Sequence, residues 1–280
     1  MELDFGTCTI NIAGAVATIE IIPPSQLTGG TSDLHYDLAQ AFMRLRHIDS
    51  VRVIVLTGQD GEFYVPMPPD FYESEGARAY LASTGGAWRT FSGVVQVHEA
   101  MCQIEKPIVA KVNGPAIGFG SSLVFACDLI VIVNDAAVID MHLGMGEVLE
   151  GGPRFGIVPG DGGAVVVPEA MPRALANEAL LLARRFTGSE LEQFGAVNYA
   201  VAPEDLDAKV AELVDGLLRR SAYALAWSKR MINRSMRVAV AQGIDHGAAY
   251  EMVNFLQLES RGWKDSMVLG PDTTSTELQE

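Results

Sequence analysis

Two stretches dense in β-branched residues open the chain, residues 7–12 and 15–22, separated by Gly14. That pattern predicts an antiparallel hairpin. Pro23-Pro24 and Gly29-Gly30 follow, and the period then changes. Leu34, Leu38, Ala41, Phe42 and Leu45 share one helical face, which predicts a helix to about His47 capped by Thr31, Ser32 or Asp33. Residues 51–56 (VRVIVL) read as a buried strand, residues 87–104 as a helix, and residues 108–112 as a strand opened by Pro107. A helix start at 118–126, a strand at 129–133 and a short strand at 137–141 come next. From Arg173 onward helices dominate, with helical spacing at 208–220 and 225–260, the latter broken near Gly243. Residues 270–280 are polar, as expected of a frayed end.

Strands alternating with helices predict an α/β fold with largely parallel pairing. The chain divides into a core over 1–200 and a helical region over 201–280. Twenty Lys and Arg face 35 Asp and Glu, a net charge of −15, so a nucleic-acid or anionic-membrane surface is not expected. No apolar run reaches the roughly 18 residues of a membrane span. The first residues lack the basic and apolar regions of a signal peptide. Cys8, Cys102 and Cys127 are too scattered for a disulfide framework or a zinc site. A cytoplasmic location fits these features.

Three features carry candidate chemistry. In Pro66-Met67-Pro68-Pro69 only Met67 has an N–H, so a stiff loop either aims one donor at a ligand or serves as a connector. Gly118-Phe119-Gly120 precedes a helix, where free N–H groups meet a favourable dipole. Two such donors on one oxygen would form an oxyanion hole. The third feature is the glycine-rich run GIVPGDGG, which exposes Asp161 either to a substrate or as a helix cap. His142, Glu147, Glu150 and Arg154 lie near it as acid, base or anchor candidates, although Arg154 also suits an ion pair with Asp161. A Ser-His-Asp set (Ser121 or Ser122, His142, Asp161) lacks a GxSxG elbow. His35, His47, His98 and His246 read as surface or packing residues. No metal-ligand spacing stands out.

The order of these segments is more telling than any one of them. VRVIVLTG, IEKPIVAKVNGPAIGFG, CDLIVI, GIVPGDGG and ALAWSKRMINRSM together resemble the crotonase (enoyl-CoA hydratase/isomerase) superfamily over about residues 5–260. The resemblance implies a ClpP/crotonase spiral of ββα units with a C-terminal helical trimerisation region, giving a homotrimer or a dimer of trimers (a hexamer). It implies two backbone oxyanion donors, matched here by Met67 and by Phe119 between Gly118 and Gly120. The paired glutamates typical of a hydratase are missing, because their positions fall near Ser122 and Gly152. Ser25-Gln26 stands where a basic residue usually helps hold CoA.

TSDLHYDLAQAF, NGP and GGPRFGIVPGDG are similar to the 6-oxocamphor hydrolase-like β-diketone hydrolase branch. That branch cleaves a C–C bond by retro-Claisen hydrolysis without CoA, using an Asp partnered by a His. Asp161 matches the Asp. The His position falls at Arg154, which cannot act as a base, with His142 as the substitute if its loop folds inward. The resemblance therefore implies a hydrolase with Asp161, His142 and Glu150 as catalytic candidates and Met67 and Phe119 as the oxyanion hole. Arg154, Gly118, Gly120 and Ser122 are the substrate-binding candidates. No metal and no cofactor are expected, and the substrate is a small carbonyl compound. The alternatives are an acyl-CoA hydratase or isomerase, with CoA thioester as substrate and Lys229 and Arg230 at its phosphates, and a non-catalytic scaffold.

Overall fold

The hairpin forms where the β-branched runs place it and becomes one side of the main sheet. In the computed structural model, β1 (Glu2–Asp4) pairs antiparallel with β2 (Cys8–Ala13), which pairs antiparallel with β3 (Val16–Ile21). The structure describes residues 1–27, 33–67, 75, 79, 83–145 and 156–261, with side chains up to Leu256. Asp33 caps α1 (Leu34–Arg46), accepting from the N–H groups of His35 and Tyr36. β4 (Val53–Gly58) starts and ends two residues later than its pattern suggested. All six of its residues are buried, as a central parallel strand requires.

The chain then winds between two sheets. α2 (Thr84–Gln103) returns it to β5 (Ile108–Val112), and β6 (Ala116–Ile117) leads into α3 (Phe119–Phe125). β7 (Leu129–Val133) and β8 (Ala137–Ile139) repeat the step, followed by α4 (Gly163–Ala170) and α5 (Arg173–Leu181). β9 (Phe186–Thr187), α6 (Gly188–Gln193) and β10 (Tyr199–Val201) complete it. The seven-stranded sheet has the order β1-β2-β3-β4-β5-β7-β10 and is parallel from β3 onward. The small sheet runs β6-β8-β9. Successive strands thus enter the large sheet, then the small one, then a helix.

Three helices close the fold: α7 (Leu206–Leu218), α8 (Ala222–Ile232) and α9 (Arg234–Arg261). The break in the long helical stretch falls at Asn233, not near Gly243. Asn233 donates its side-chain amide to Asp128 Oδ1, which stops α8 there. Gly243 lies inside continuous α9, where a Cβ would come within 3.2 Å of Val165 on α4. Its glycine serves close helix packing rather than helix termination. No helix among the described residues is long and apolar enough to cross a membrane.

Asp128 also receives Lys229 at 2.8 Å and the N–H of Ile108 at 2.7 Å, while Lys229 donates to Lys106 O at 2.9 Å. This buried cluster ties the C-terminal helices to the start of β5. Removing one partner of such a pair leaves the other charged and desolvated. Lys229→Met is expected to lower stability by about 3–5 kcal/mol in urea titrations, whereas exposed Arg230→Met should stay within about 0.5 kcal/mol.

Candidate active site

Where β8 ends, Asp140 and His142 build the site with a local turn. Asp140 Oδ1 accepts from the His142 N–H at 3.2 Å and from its ring Nδ1 at 2.8 Å. The turn therefore fixes the imidazole plane and points Nε2 away from β8. Nε2 lies 3.1 Å from Asp161 Oδ2 and 3.9 Å from Glu251 Oε1. The other Asp161 oxygen accepts from Ser122 Oγ at 3.3 Å. Asp140, His142, Asp161 and Glu251 are all buried, none more than 7% exposed.

Charge in so dry a place is set by neighbours. Burial alone disfavours a charged imidazole, but Asp161 and then Asp140 outweigh it and hold the His142 pKa well above 6.5. With a carboxylate on each nitrogen, both nitrogens donate. Burial pushes Asp161 up, yet the charge and hydrogen bond of His142 hold it below the ordinary carboxylate value. Glu251 sits just beyond hydrogen-bond reach of that imidazole. Burial lifts its carboxyl to about 8, with His142 opposing and Asp161 reinforcing the rise. Asp140, His142 and Asp161 also bring ligand-type atoms within 4.8 Å of one another, a cluster that their spacing in the chain did not suggest. Those atoms are already joined by the hydrogen bonds just described.

The glycines around Asp161 allow this approach. A Cβ at Gly163 would overlap Asp140 Oδ2, and one at Gly160 would overlap the Gly247 carbonyl and stand 2.6 Å from Glu251 Cβ. Gly162, at φ +116°, packs against the His98 ring. His98 donates Nδ1–H to Val94 O at 2.8 Å, and burial lowers its pKa, so it is neutral packing beneath the loop. The reading of His98 as a packing residue therefore describes its contacts, while the same reading of His35 needs correction. His35 Nδ1 bonds Asp33 Oδ1 at 3.0 Å, and its ring lies 4.0 Å from that of Phe119.

These groups face a cavity of about 120 Å³. Phe91, Val94, Phe119, Met141, Ile157 and Phe255 make it largely apolar, with His35, His142, Asp161 and Glu251 as its imidazole and carboxyl groups and Tyr64 also in its wall. The volume suits one compact ring, since an apolar cavity of roughly 150 Å³ takes up benzene.

The two candidate oxyanion donors lie on adjoining segments. Phe63 and Tyr64 donate their N–H groups to Pro115 O, both at 3.0 Å, and Ile117 donates to Tyr64 O at 2.9 Å. This ties the loop that carries buried Pro66 and half-buried Met67 to the entrance of α3. Phe119 is the first residue of α3, so its N–H has no acceptor within the helix.

The other sequence candidates separate clearly. Glu150 and Arg154 lie outside the described residues. Gly118, Gly120 and Ser122, expected at the substrate, do not line the cavity. Gly118 turns the chain at φ +60°, Gly120 admits the Tyr64 side chain, and Ser122 supports Asp161 from below. A Ser-His-Asp triad is not formed, because the Ser122 hydroxyl donates to the carboxylate rather than to the imidazole. The His that partners Asp161 is His142, not a residue at position 154.

Sequence reasoning missed Asp140, His35 and Glu251. Faint signals existed. Asp33-x-His35 and Asp140-x-His142 share a spacing, and Gly243, Gly247 and Glu251 recur every four residues along one face of α9.

Residues 11–261 match the family model described as enoyl-CoA hydratase/isomerase. The chain belongs to this family. Among curated relatives of this enoyl-CoA hydratase/isomerase family member, carnitinyl-CoA dehydratase of Proteus mirabilis is 27% identical over 208 residues, 74% of this chain and 73% of that protein. An enoyl-CoA hydratase/isomerase structure from Mycobacterium paratuberculosis superposes with a TM-score of 0.76 at 25% identity, covering 90% of this chain and 94% of that one. A β-diketone hydrolase from the cyanobacterium Anabaena, bound to (S)-3-oxocyclohexyl acetic acid, also reaches 0.76, at 19% identity and 91% and 96% coverage. The likeness to the latter shows the shared fold.

Glu251 gives a pH test of this family member. A carboxyl whose pKa rises on folding from 4.5 to about 8 binds a proton in the native state that the unfolded chain has lost. Its contribution is complete below pH 4.5 and declines as pH rises through 8. His142, raised above 6.5, changes in the same direction at higher pH. Glu251→Gln is expected to melt above wild type at high pH. Between about pH 5 and pH 8.5 its advantage should grow by roughly 5 °C in scanning calorimetry.

Proposed function

We propose that this enzyme hydrolyses a carbon–carbon bond of a compact β-diketone-like substrate by a retro-Claisen reaction, without CoA. The observation that carries the reading is the buried His142–Asp161 pair, set between Asp140 and Ser122 and opening onto a small apolar cavity. Water attacks one carbonyl carbon and gives a proton to the Asp161 carboxylate, which His142 and Ser122 hold in place. Met67 and Phe119 N–H groups hold the oxyanion that forms. The bond from that carbon to the α-carbon then breaks. Its electrons pass to the α-carbon and the second carbonyl, and the proton is returned to the α-carbon. The products are a carboxylic acid and a ketone, joined in one keto acid when the diketone is cyclic. No metal or cofactor takes part in this scheme.

The names of the relatives favour a second reading, hydration or isomerisation of an acyl-CoA. Against it stands Lys229. Its ammonium is buried on Asp128 rather than available to a phosphate, and only exposed Arg230 is left of the two candidate cations. A non-catalytic scaffold has no use for His142, Asp161 and Glu251 buried around a cavity. A trimer, or a pair of trimers, is supported by the exposed Tyr223, Trp227, Met231 and Ile232 of α8.

Hydrolysis of 2,2-dimethylcyclohexane-1,3-dione is the direct assay. Asp161→Asn should lower kcat/KM by about 10²–10⁴-fold, and His142→Gln should cost a similar factor. The double variant should be little worse than either single one, as expected of groups that act together. In calorimetry, CoA and acetyl-CoA should show no micromolar binding. Tight CoA binding together with turnover of enoyl-CoA would overturn the hydrolase reading.

A further inference from the structure

The cavity has two kinds of apolar wall. Val94 and Phe119 belong to the main core, and Phe91 packs against it. Met141, Met145 and Ile157 instead form, with Ile139, a separate hydrophobic cluster on which Phe255 packs. At about 120 Å³ the cavity is no larger than a bare six-membered ring requires, since an apolar cavity of roughly 150 Å³ takes up benzene. A substituted ring therefore needs a wall that gives. Side chains interlocked in the main core resist displacement. The separate cluster offers two methionines, whose unbranched thioether arms re-pack readily.

Met141 is the better placed of the two. It lies between Asp140 and His142, in the turn that fixes the imidazole. Its side chain reaches across to Gly118, where Cε and Cγ stand 3.4 and 3.5 Å from the position a Cβ would take. Gly118 precedes Phe119, the proposed second oxyanion donor. The thioether arm thus spans the space between the acid–base groups and the carbonyl under attack. Substituents on the carbon next to that carbonyl have to share this space.

We infer that Met141 is the specificity-determining residue of the cavity, re-packing to admit uncharged alkyl groups on the carbon between the two carbonyls. This rests on the retro-Claisen reading above and narrows it to neutral alicyclic diketones that carry such groups. Met145, in the same cluster, belongs to the same wall. An anionic substituent would be buried beside Asp161 with nothing to offset it. No Lys or Arg lines the cavity among the described residues, and His35 and His142 are already held by carboxylates.

Turnover of 2,2-dimethyl- and 2,2-diethylcyclohexane-1,3-dione tests the assignment. One methylene in an apolar pocket changes selectivity by about 10–200-fold. Met141→Ala should therefore raise the kcat/KM ratio of the diethyl over the dimethyl substrate by about tenfold or more. Met141→Leu keeps the volume but lacks the unbranched arm, and should lower that ratio by about fivefold. A change in stability alone would reduce turnover of both substrates alike and leave the ratio where it is. Contact is read separately in Asp161→Asn enzyme labelled with methyl-¹³C methionine, where adding Met141→Leu removes one resonance and so identifies the Met141 methyl. That resonance should shift when the dimethyl dione is added to saturation. An unmoved Met141 methyl, or a ratio unchanged in Met141→Ala and Met141→Leu, overturns the inference and leaves the hydrolase reading standing. Failure of the wild type to hydrolyse any cyclic diketone overturns both.

Discussion

One imidazole with a carboxylate on each nitrogen sets the terms for the rest of the site. His142 is nearly inaccessible, and three carboxyl groups crowd around it within hydrogen-bond or near hydrogen-bond distance. Such a group survives burial only if its protons and charges are matched locally. The matching here is asymmetric. Asp140, two residues away, comes with the turn itself, whereas Asp161 arrives from a distant loop and Glu251 from the last described helix. Asp161 and Glu251 compete for the same nitrogen, and Asp161 has the shorter distance. Glu251 then keeps its proton, because two adjacent buried carboxylates resist ionising together.

The backbone follows from that demand. Asp161 has to reach the imidazole while α4 begins immediately after it and α9 crosses immediately before it. Only residues without a side chain permit both crossings, which is why Asp161 is bracketed by Gly160, Gly162 and Gly163. The motif is thus a consequence of close packing around a charge, and its resemblance to a helix cap is secondary. Ser122 fits the same account. Where a hydratase would be expected to place a carboxylate, this chain has a short hydroxyl that shares its hydrogen with Asp161. A fourth acid at that point would add repulsion to a site already rich in carboxyl groups.

Much of the fold was legible because its strands are simple. β5 and β7 appear at the residues where apolar runs stop against Pro107, Asp128 and Asn134. β4 was displaced because Thr57-Gly58 reads as a turn, although burial carries the strand through it. β1 is three residues long and carries no period. The end of α8 was invisible because a side-chain bond from Asn233 to Asp128, not a glycine, sets it. Within the site, Asp161 could be found because glycines flank it. Glu251 could not, since a single acid on a helix ordinarily faces water, and only the packing of Gly247 on Gly160 turns it inward. His35 looked unremarkable for a similar reason: its partner, Asp33, also had the ordinary task of capping a helix.

The Asp128–Lys229–Asn233 cluster changes how the C-terminal helices are to be regarded. It fixes the point from which α9 departs, and α9 delivers Glu251 and Phe255 to the cavity wall. The reaction chamber is therefore not a module that ends with the sheets. Grafting the last 80 residues of a relative onto this core would exchange one wall of the chamber along with the helices, and with it one of the two carboxyl groups that face the cavity. In engineering terms, a junction placed at about residue 200 would divide the chamber between its two sides.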